Sequence, residues 1–128
     1  MSTTRILIAD DHEAVRRGVR SLLESQAELA VVGEAANGAE AVAKTHELRP
    51  DLVILDIGMP VLDGLAAREI RRFSPATPIV IFTMHKIKEV AEAAKKIGLS
   101  GYVAKEDDGV ALLAAVHAVL HNKTYFPS

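Results

Sequence analysis

The chain has 128 residues with no Cys and no Trp, and its 15 Lys and Arg against 17 Asp and Glu give a formal net charge of −2. This length fits one domain, the lack of Cys excludes disulfides, thiol nucleophiles and thiolate-bound metals, and the balanced charge argues against direct nucleic-acid binding. Because no stretch approaches the roughly 18 consecutive apolar residues of a membrane span, and residues 1–5 lack the layout of a signal peptide, we expect a soluble, cytoplasmic domain without membrane attachment.

Five short apolar runs predict β-strands, and a segment with helical spacing follows each of them. The runs cover residues 5–9, 29–34, 52–55, 79–82 and 101–104. The first, third and fourth runs are apolar at consecutive positions, which indicates strands that are covered on both faces, as in a parallel sheet. The first apolar residues of the five predicted helices are Ala14, Ala39, Leu65, Val90 and Val110. This alternation predicts an α/β fold with a doubly wound, five-stranded parallel sheet, (βα)5, over residues 1–128.

Polar residues follow four of the five predicted strands. Asp10 and Asp11 follow the first strand, and Asp56, Thr83 and Lys105 follow the third, fourth and fifth. Because ligands bind at the carboxyl ends of the strands in open parallel sheets, we expect these residues to surround one crevice. Each has a simpler explanation when taken singly, since an Asp after a strand is often only a helix N-cap. Together, the carboxylates would repel one another without a cation between them, and hard oxygen ligands favour Mg²⁺ or Mn²⁺ over zinc.

A divalent ion, an ammonium, a hydroxyl and a carboxylate are together the parts needed for phosphoryl transfer. The ion and Lys105 would neutralise charge on the transferred group, and Asp56 would act as the nucleophile to give an acyl phosphate. Met59-Pro60 and Asp63-Gly64 predict a structured loop after Asp56. His12 is left out of the predicted ligand set, because a His one residue into a helix is expected to face solvent.

The chain resembles the receiver domain of two-component response regulators over essentially its whole length. The resemblance rests on four motifs in the family's order and spacing: Ile8-Ala9-Asp10-Asp11-His12, residues 51–56 with Met59-Pro60 and Asp63-Gly64, Phe82-Thr83, and Gly101-Tyr102-Val103-Ala104-Lys105. The first helix, and the acidic residues after the last motif, are most similar to the NarL/FixJ (LuxR-type) subgroup. The resemblance implies a flavodoxin-like sheet with the strand order 2-1-3-4-5.

The resemblance also implies a role for each residue of the crevice. Asp56 would accept a phosphoryl group from a sensor histidine kinase. Asp11 and Asp56, with the backbone carbonyl of Gly58, would bind Mg²⁺, and Asp10 would reach the ion through water. Apart from this phosphotransfer to itself and its autodephosphorylation, the chain is not expected to be an enzyme.

A conformational switch is the implied response. The phosphoryl group adds roughly −1.5 to −2 charges, so that Lys105 would pair with it, Thr83 would move toward it, and Tyr102 would change rotamer. These changes would reshape the face formed by the fourth helix, the fifth strand and the fifth helix. Gly58, Met84 and His85 depart from the commonest pattern of the family, and we hypothesise that they tune the phosphorylation and dephosphorylation rates.

Several partners follow from the resemblance. The polar face of the first predicted helix carries three arginines, Arg16, Arg17 and Arg20. Family analogy implies kinase docking there, although a run of charges is often only a solvated face. Transcription would be regulated through a helix-turn-helix DNA-binding domain that is not in this chain, and phosphorylation would favour a homodimer. Tyr125 and Phe126 are expected to serve dimerisation or to pack on such a following domain.

Three alternatives bear on this interpretation. A phosphatase of the haloacid dehalogenase type also uses an Asp at a strand end, but it needs a second Asp where this chain has Gly58. A Rossmann nucleotide-binding module needs a glycine-rich loop where this chain has Asp10-Asp11-His12-Glu13. A stand-alone receiver that acts as a phosphorylation-independent protein-interaction module is the alternative to the switch.

Overall fold

One parallel sheet organises the computed structural model, which describes residues 3–56, 65–83, 88–105 and 109–126. Within these residues the strands are β1 (Thr4–Ala9), β2 (Leu29–Ala35), β3 (Leu52–Leu55), β4 (Ile79–Thr83) and β5 (Gly101–Ala104). The helices between and after them are α1 (Glu13–Glu24), α2 (Gly38–Leu48), α3 (Leu65–Phe73), α4 (Lys88–Lys96) and α5 (Gly109–Leu120). All strand pairs are parallel, in the order β2-β1-β3-β4-β5. The predicted doubly wound fold and the 2-1-3-4-5 order are both confirmed.

Two apolar clusters cover the two faces of the sheet. One includes Leu7 and Val53 of the sheet and lies under α2, α3 and α4. The other includes Ile6 and Ile54 and lies under α1 and α5. Neighbouring residues of a strand point to opposite faces, so a strand with helices on both sides must be apolar at every position. This explains the uninterrupted apolar runs of β1 and β3, which are buried from Ile6 to Ala9 and from Leu52 to Leu55.

Three strands are one residue longer than predicted. Thr4 pairs with Leu29, and Ala35 at the other end of β2 pairs with Ala9. Thr83, expected to follow β4, is its last residue and pairs with Ala104. These additions reflect backbone pairing, which depends little on side-chain hydrophobicity and therefore leaves a weak signal in the sequence.

The segment after α5 lies along the edge of β5. Tyr125 forms a parallel bridge with Gly101; its carbonyl accepts from the N–H of Tyr102 at 2.8 Å and its N–H donates to the carbonyl of Ser100 at 3.0 Å. The rings of Tyr125 and Phe126 pack against the apolar clusters on opposite faces of the sheet. Both residues are therefore half-buried against this chain's own sheet. Their part in dimerisation or in packing on a following domain stays a prediction.

The helices are short, and α4 ends in a left-handed turn. Gly98 has a φ of 82°, a backbone conformation that residues with a Cβ rarely adopt, and Nη2 of Arg71 lies 3.0 Å from where such a Cβ would stand.

Among the helices in the described ranges, none combines the length and apolar character required to cross a bilayer.

Candidate functional site

Backbone hydrogen bonds at the carboxyl ends of the strands fix three of the predicted site residues. The N–H groups of Asp10, Asp56 and Lys105 donate to carbonyls of the neighbouring strands, namely those of Ala35 at 2.9 Å, Ala9 at 2.9 Å and Thr83 at 2.6 Å. These three residues therefore extend the pairing of β1 with β2, of β3 with β1, and of β5 with β4. The sheet itself sets the spacing of the site.

The side chain of Lys105 connects the two buried carboxylates. Its Nζ lies 2.5 Å from Oδ2 of Asp10 and 3.1 Å from Oδ2 of Asp56. Because β4 separates β5 from β3, the lysine reaches these carboxylates across the end of β4. The side chains of Lys105, Asp10 and Asp56 are 6%, 3% and 6% exposed, so that this ion-pair network is almost dry.

The carboxylates determine the charge state of Lys105. Burial alone would lower the pKa of Lys105, but hydrogen bonds and charges from Asp10 and Asp56 outweigh it and raise this pKa above the ordinary value of a lysine. Lys105 is therefore a cation at neutral pH. It offsets part of the negative charge of the site.

Asp11 and His12 complete the cluster from the loop between β1 and α1. One donor atom from each of Asp10, Asp11, His12 and Asp56 lies within 4.8 Å of all the others. His12, predicted to lie one residue into the helix and to face solvent, is the N-cap residue of α1, and its side chain is 62% exposed. Its Nδ1 also lies 3.2 Å from Oδ1 of Asp10 and 3.1 Å from Oδ1 of Asp11. The position of His12 directly after the Asp pair was the signal for this contact.

The simpler explanation of the Asp pair as helix caps does not describe this loop. Oδ1 of Asp10 accepts the N–H of His12 at 2.9 Å, before the helix begins. His12 itself caps α1 without a side-chain hydrogen bond to the helix. The carboxylate of Asp10 thus shapes the loop with one oxygen and meets Lys105 with the other.

The donor set fits a divalent cation such as Mg²⁺. Asp10, Asp11 and Asp56 bring three carboxylates together, and Lys105 is the one lysine in contact with them among the described residues. Lys105 cannot offset all of this negative charge, and carboxylate oxygens are the ligands that Mg²⁺ prefers in proteins. Gly58, whose carbonyl is the further predicted ligand, lies outside the described residues.

Thr83 and Tyr102 occupy two different parts of the site. Thr83 is 3% exposed, and its carbonyl accepts the backbone N–H of Lys105 at 2.6 Å, which places it beside the lysine at the end of β4. Tyr102 is 2% exposed, and its ring lies in the apolar cluster under α4 rather than in the acidic crevice. The residues from which a structured loop was predicted, Met59-Pro60 and Asp63-Gly64, lie outside the described residues, as do Met84 and His85.

The contact between Arg16 of α1 and Glu34 near the end of β2 was not predicted from the sequence, because no functional residue was expected at the end of β2. Arg16 was placed on an exposed helix face, but its side chain is only 16% exposed. Its Nε donates to Oε1 of Glu34 at 2.9 Å, and its Nη1 donates to the backbone carbonyl of Asp10 at 2.7 Å. Arg17, at 73% exposed, and Arg20, at 43% exposed, remain accessible on α1.

The carboxylate of Glu34 accepts hydrogen bonds from both Arg16 and Arg20. Nη1 of Arg20 donates to its Oε2 at 2.7 Å, while Arg16 occupies Oε1. Burial alone would raise the pKa of Glu34, but the hydrogen bonds and charges of Arg20 and Arg16 outweigh it and lower this pKa below the ordinary value of a glutamate. Glu34 is therefore ionised at neutral pH and fixes Arg16 from the side opposite Asp10.

Known proteins match this chain in sequence and in structure. Residues 6–117 match the family described as the response regulator receiver domain. The response regulator protein VraR of Staphylococcus aureus is 34% identical over 125 residues, which cover 97% of this chain and 60% of VraR. The chain thus spans about 60% of the length of the curated relatives that it matches.

Two solved structures extend the match to the whole fold. A two-component response regulator of the LuxR family from Aurantimonas sp. SI85-9A1 has a TM-score of 0.92 at 42% identity, covering 97% of this chain and 89% of that one. The isolated receiver domain of RcsB from Salmonella enterica serovar Typhimurium, determined with the phosphomimetic BeF3⁻, has a TM-score of 0.91 at 27% identity, covering 99% and 95%. The chain therefore belongs to the response regulator receiver domain family, in its LuxR-type branch.

Proposed function

We propose that this chain is a phosphorylation-dependent switch in which Asp56 accepts the phosphoryl group. The observation that supports this role most directly is the position of Lys105, whose Nζ joins the carboxylates of Asp56 and Asp10 while Asp11 stays 30% exposed beside them. A nucleophilic carboxylate, a fixed cation and further carboxylates able to hold a metal ion are the groups that phosphoryl transfer to an aspartate uses.

The transfer itself is a displacement at phosphorus. A carboxylate oxygen of Asp56 attacks the phosphoryl group on a histidine of a sensor kinase, the P–O bond forms, and the P–N bond breaks with its electron pair left on the imidazole. Water later attacks the same phosphorus, releases inorganic phosphate and restores the carboxylate. Asp11, Asp56 and the carbonyl of Gly58 would hold Mg²⁺, with Asp10 reaching it through water. When bound, Mg²⁺ neutralises charge on the phosphoryl oxygens.

The switch follows from the new charge. A phosphoryl group on Asp56 adds roughly −1.5 to −2 charges and several acceptor oxygens, so that the ammonium of Lys105 moves its hydrogen bonds toward it. The hydroxyl of Thr83 donates to the same group, and the ring of Tyr102 changes rotamer under α4. Together they bias the face of α4, β5 and α5 by about 1–3 kcal/mol, the usual scale of such coupling.

The partners are those of a LuxR-type regulator. A sensor histidine kinase would dock on α1, the phosphorylated chain would form a homodimer, and DNA would be bound by an output domain beyond this chain. The place of action would be the cytoplasm. The LuxR-family match supports this assignment.

The experiment is phosphorylation by acetyl phosphate with Mg²⁺, followed by intact-mass measurement. The wild-type chain should gain about 80 Da for one phosphoryl group, and Asp56→Asn should gain nothing. Asp11→Ala should lose Mg²⁺ binding and phosphorylation together. Asp51→Asn is the matched control, because Asp51 is an exposed carboxylate that instead accepts the backbone N–H of Arg5.

Two outcomes would contradict the proposal. An adduct that persists in Asp56→Asn would place the acceptor elsewhere. A wild-type chain that gains no mass with Mg²⁺ and acetyl phosphate would favour the phosphorylation-independent interaction module.

A further inference from the structure

We infer that Arg16 is a positioning residue for the metal site, because it holds the backbone of Asp10 and is itself held by Glu34. The inference rests on the proposed function, since it concerns the Mg²⁺ affinity of the same cluster. Arg16 is not expected to touch the ion or the phosphoryl group. It acts through the main chain of Asp10.

Three polar atoms of Asp10 make hydrogen bonds, and the fourth, Oδ2, is in ion-pair contact with Lys105. Its N–H donates to the carbonyl of Ala35 at 2.9 Å, and its Oδ1 accepts the N–H of His12 at 2.9 Å. Its Oδ2 meets Nζ of Lys105 at 2.5 Å, and its carbonyl accepts from Nη1 of Arg16 at 2.7 Å. Asp10 leads directly into Asp11. Loss of the hydrogen bond from Arg16 to the carbonyl of Asp10 would therefore loosen the loop that carries Asp10 and Asp11, two of the three carboxylates.

Arg16 is suited to this task by its own anchoring. Its guanidinium donates from Nε to Glu34 and from Nη1 to Asp10, so that one planar group joins the end of β2 to the end of β1. Hydrogen bonds in which one partner is charged are shorter and stronger than neutral ones. With only 16% of the side chain exposed, Arg16 has little freedom to leave this position. A lysine, with a single ammonium head, cannot reproduce both contacts at these angles.

Metal affinity is the property that this arrangement controls. Mg²⁺ demands near-ideal octahedral geometry. Replacing a residue that orients the metal ligands through hydrogen bonds typically lowers metal affinity by about 10–100-fold. We therefore expect Arg16→Met to weaken Mg²⁺ binding by about tenfold.

The direction of the effect separates positioning from simple electrostatics. Arg16 is a cation close to an acidic cluster, so its removal lowers the local positive potential and on charge alone should tighten the binding of a cation. Weaker binding by an Arg16→Met variant that remains folded in EDTA therefore reports the loss of positioning. Arg20→Met provides the matched control. Within the described residues, Arg20 forms its ion pairs with the same Glu34 and with Glu24, and not with Asp10.

The experiment is isothermal titration of each variant with Mg²⁺ alone, in parallel with thermal unfolding in EDTA. We expect Arg16→Met to bind Mg²⁺ about tenfold more weakly and Arg20→Met to bind at least as tightly as the wild type. Arg16→Lys should recover part of the affinity, because it keeps one donor. Because Arg16→Lys also keeps the positive charge, weaker Mg²⁺ binding in that variant than in the wild type reports positioning, and Arg16→Lys tests the inference if Arg16→Met does not fold.

The outcomes distinguish this inference from the proposed function. Equal Mg²⁺ affinity in the wild type and Arg16→Met, or equal weakening in Arg20→Met, would overturn the role of Arg16 and leave Asp56 as the acceptor. A wild-type chain that binds no Mg²⁺ would overturn the proposed function and this inference with it. Loss of thermal stability in Arg16→Met without loss of Mg²⁺ affinity would show that Arg16 only supports the fold.

Discussion

The ammonium nitrogen of Lys105 lies 2.5 Å from Oδ2 of Asp10, although the two residues follow β5 and β1, which are not neighbours in the sheet. The contact crosses the ends of β3 and β4, and Asp56 lies on its path at 3.1 Å from the same nitrogen. One lysine therefore offsets charge on two buried carboxylates, and in doing so it joins the edge of the sheet to its centre.

Lys105→Met should destabilise the chain most strongly in the absence of a divalent cation. Removing one partner of a buried ion pair leaves an uncompensated charge, and typically costs about 3–5 kcal/mol. Mg²⁺ should stabilise this variant more than it stabilises the wild type, because the ion neutralises the carboxylates that have lost Lys105. A ligand that binds only the folded chain raises its free energy of unfolding. Urea unfolding in EDTA and in Mg²⁺ measures both. Lys96→Met, on the exposed side of α4, is the control, and an equal loss in both buffers would argue against this account.

His12→Ala should change which metals the cluster prefers. The imidazole Nδ1 lies near two carboxylate oxygens, and imidazole suits Ni²⁺ whereas Mg²⁺ favours oxygen ligands. We expect the variant to lose about tenfold in Ni²⁺ affinity with little change for Mg²⁺. Competition of the two ions in calorimetry checks this, with His121→Ala, an exposed site after α5, as the control. A parallel loss for both ions would assign His12 a role in loop structure instead.

The ion pairs of Glu34 should make stability depend on pH in the acid range. The pKa of Glu34 is lower in the folded chain than in the unfolded chain, so its contribution is fully present above the unfolded value and is lost as the pH falls through the folded value. At pH 7, Glu34→Gln should cost about 2 kcal/mol, the scale of a hydrogen bond to a charged group.

The difference between the wild type and Glu34→Gln should therefore shrink below about pH 4, near the ordinary pKa of a glutamate. Unfolding in urea at a series of pH values gives this curve. Glu24→Gln is the comparison, because Glu24 also pairs with Arg20 but is 44% exposed and lies 3.4 Å from it. A constant difference from pH 7 to pH 3 would contradict the assignment.

Two glycine-to-alanine substitutions should have opposite effects. Gly98 has a φ of 82°, so that Gly98→Ala should destabilise by about 1–2 kcal/mol. Gly18 lies within α1 with nothing within 4 Å of an added Cβ, so that Gly18→Ala should stabilise by about 0.5–1 kcal/mol. Thermal unfolding of the two variants measures the pair. A stabilising Gly98→Ala would mean that the turn after α4 relaxes without its left-handed residue.

The sequence is sufficient to predict the sheet and most of the crevice, for one physical reason. Strands buried on both faces are apolar at every position, and the residues that follow them must share the carboxyl edge. Arg16 could not be placed in this way, because helical periodicity records where a side chain starts and not how far a long one reaches. The pairing of Tyr125 with β5 could not be predicted, because it uses the backbone, which any residue can supply.

The backbone N–H groups of Asp10, Asp56 and Lys105 are bonded to adjacent strands, and this has a consequence for hydrogen exchange. Amide protons in such positions exchange with solvent only when the strands that the hydrogen bonds join separate. The amides of these three residues should therefore be among the slowest to exchange. The proposed switch is then expected to move side chains, connecting loops and the face of α4, β5 and α5, while the peptide units of Asp10, Asp56 and Lys105 stay in place.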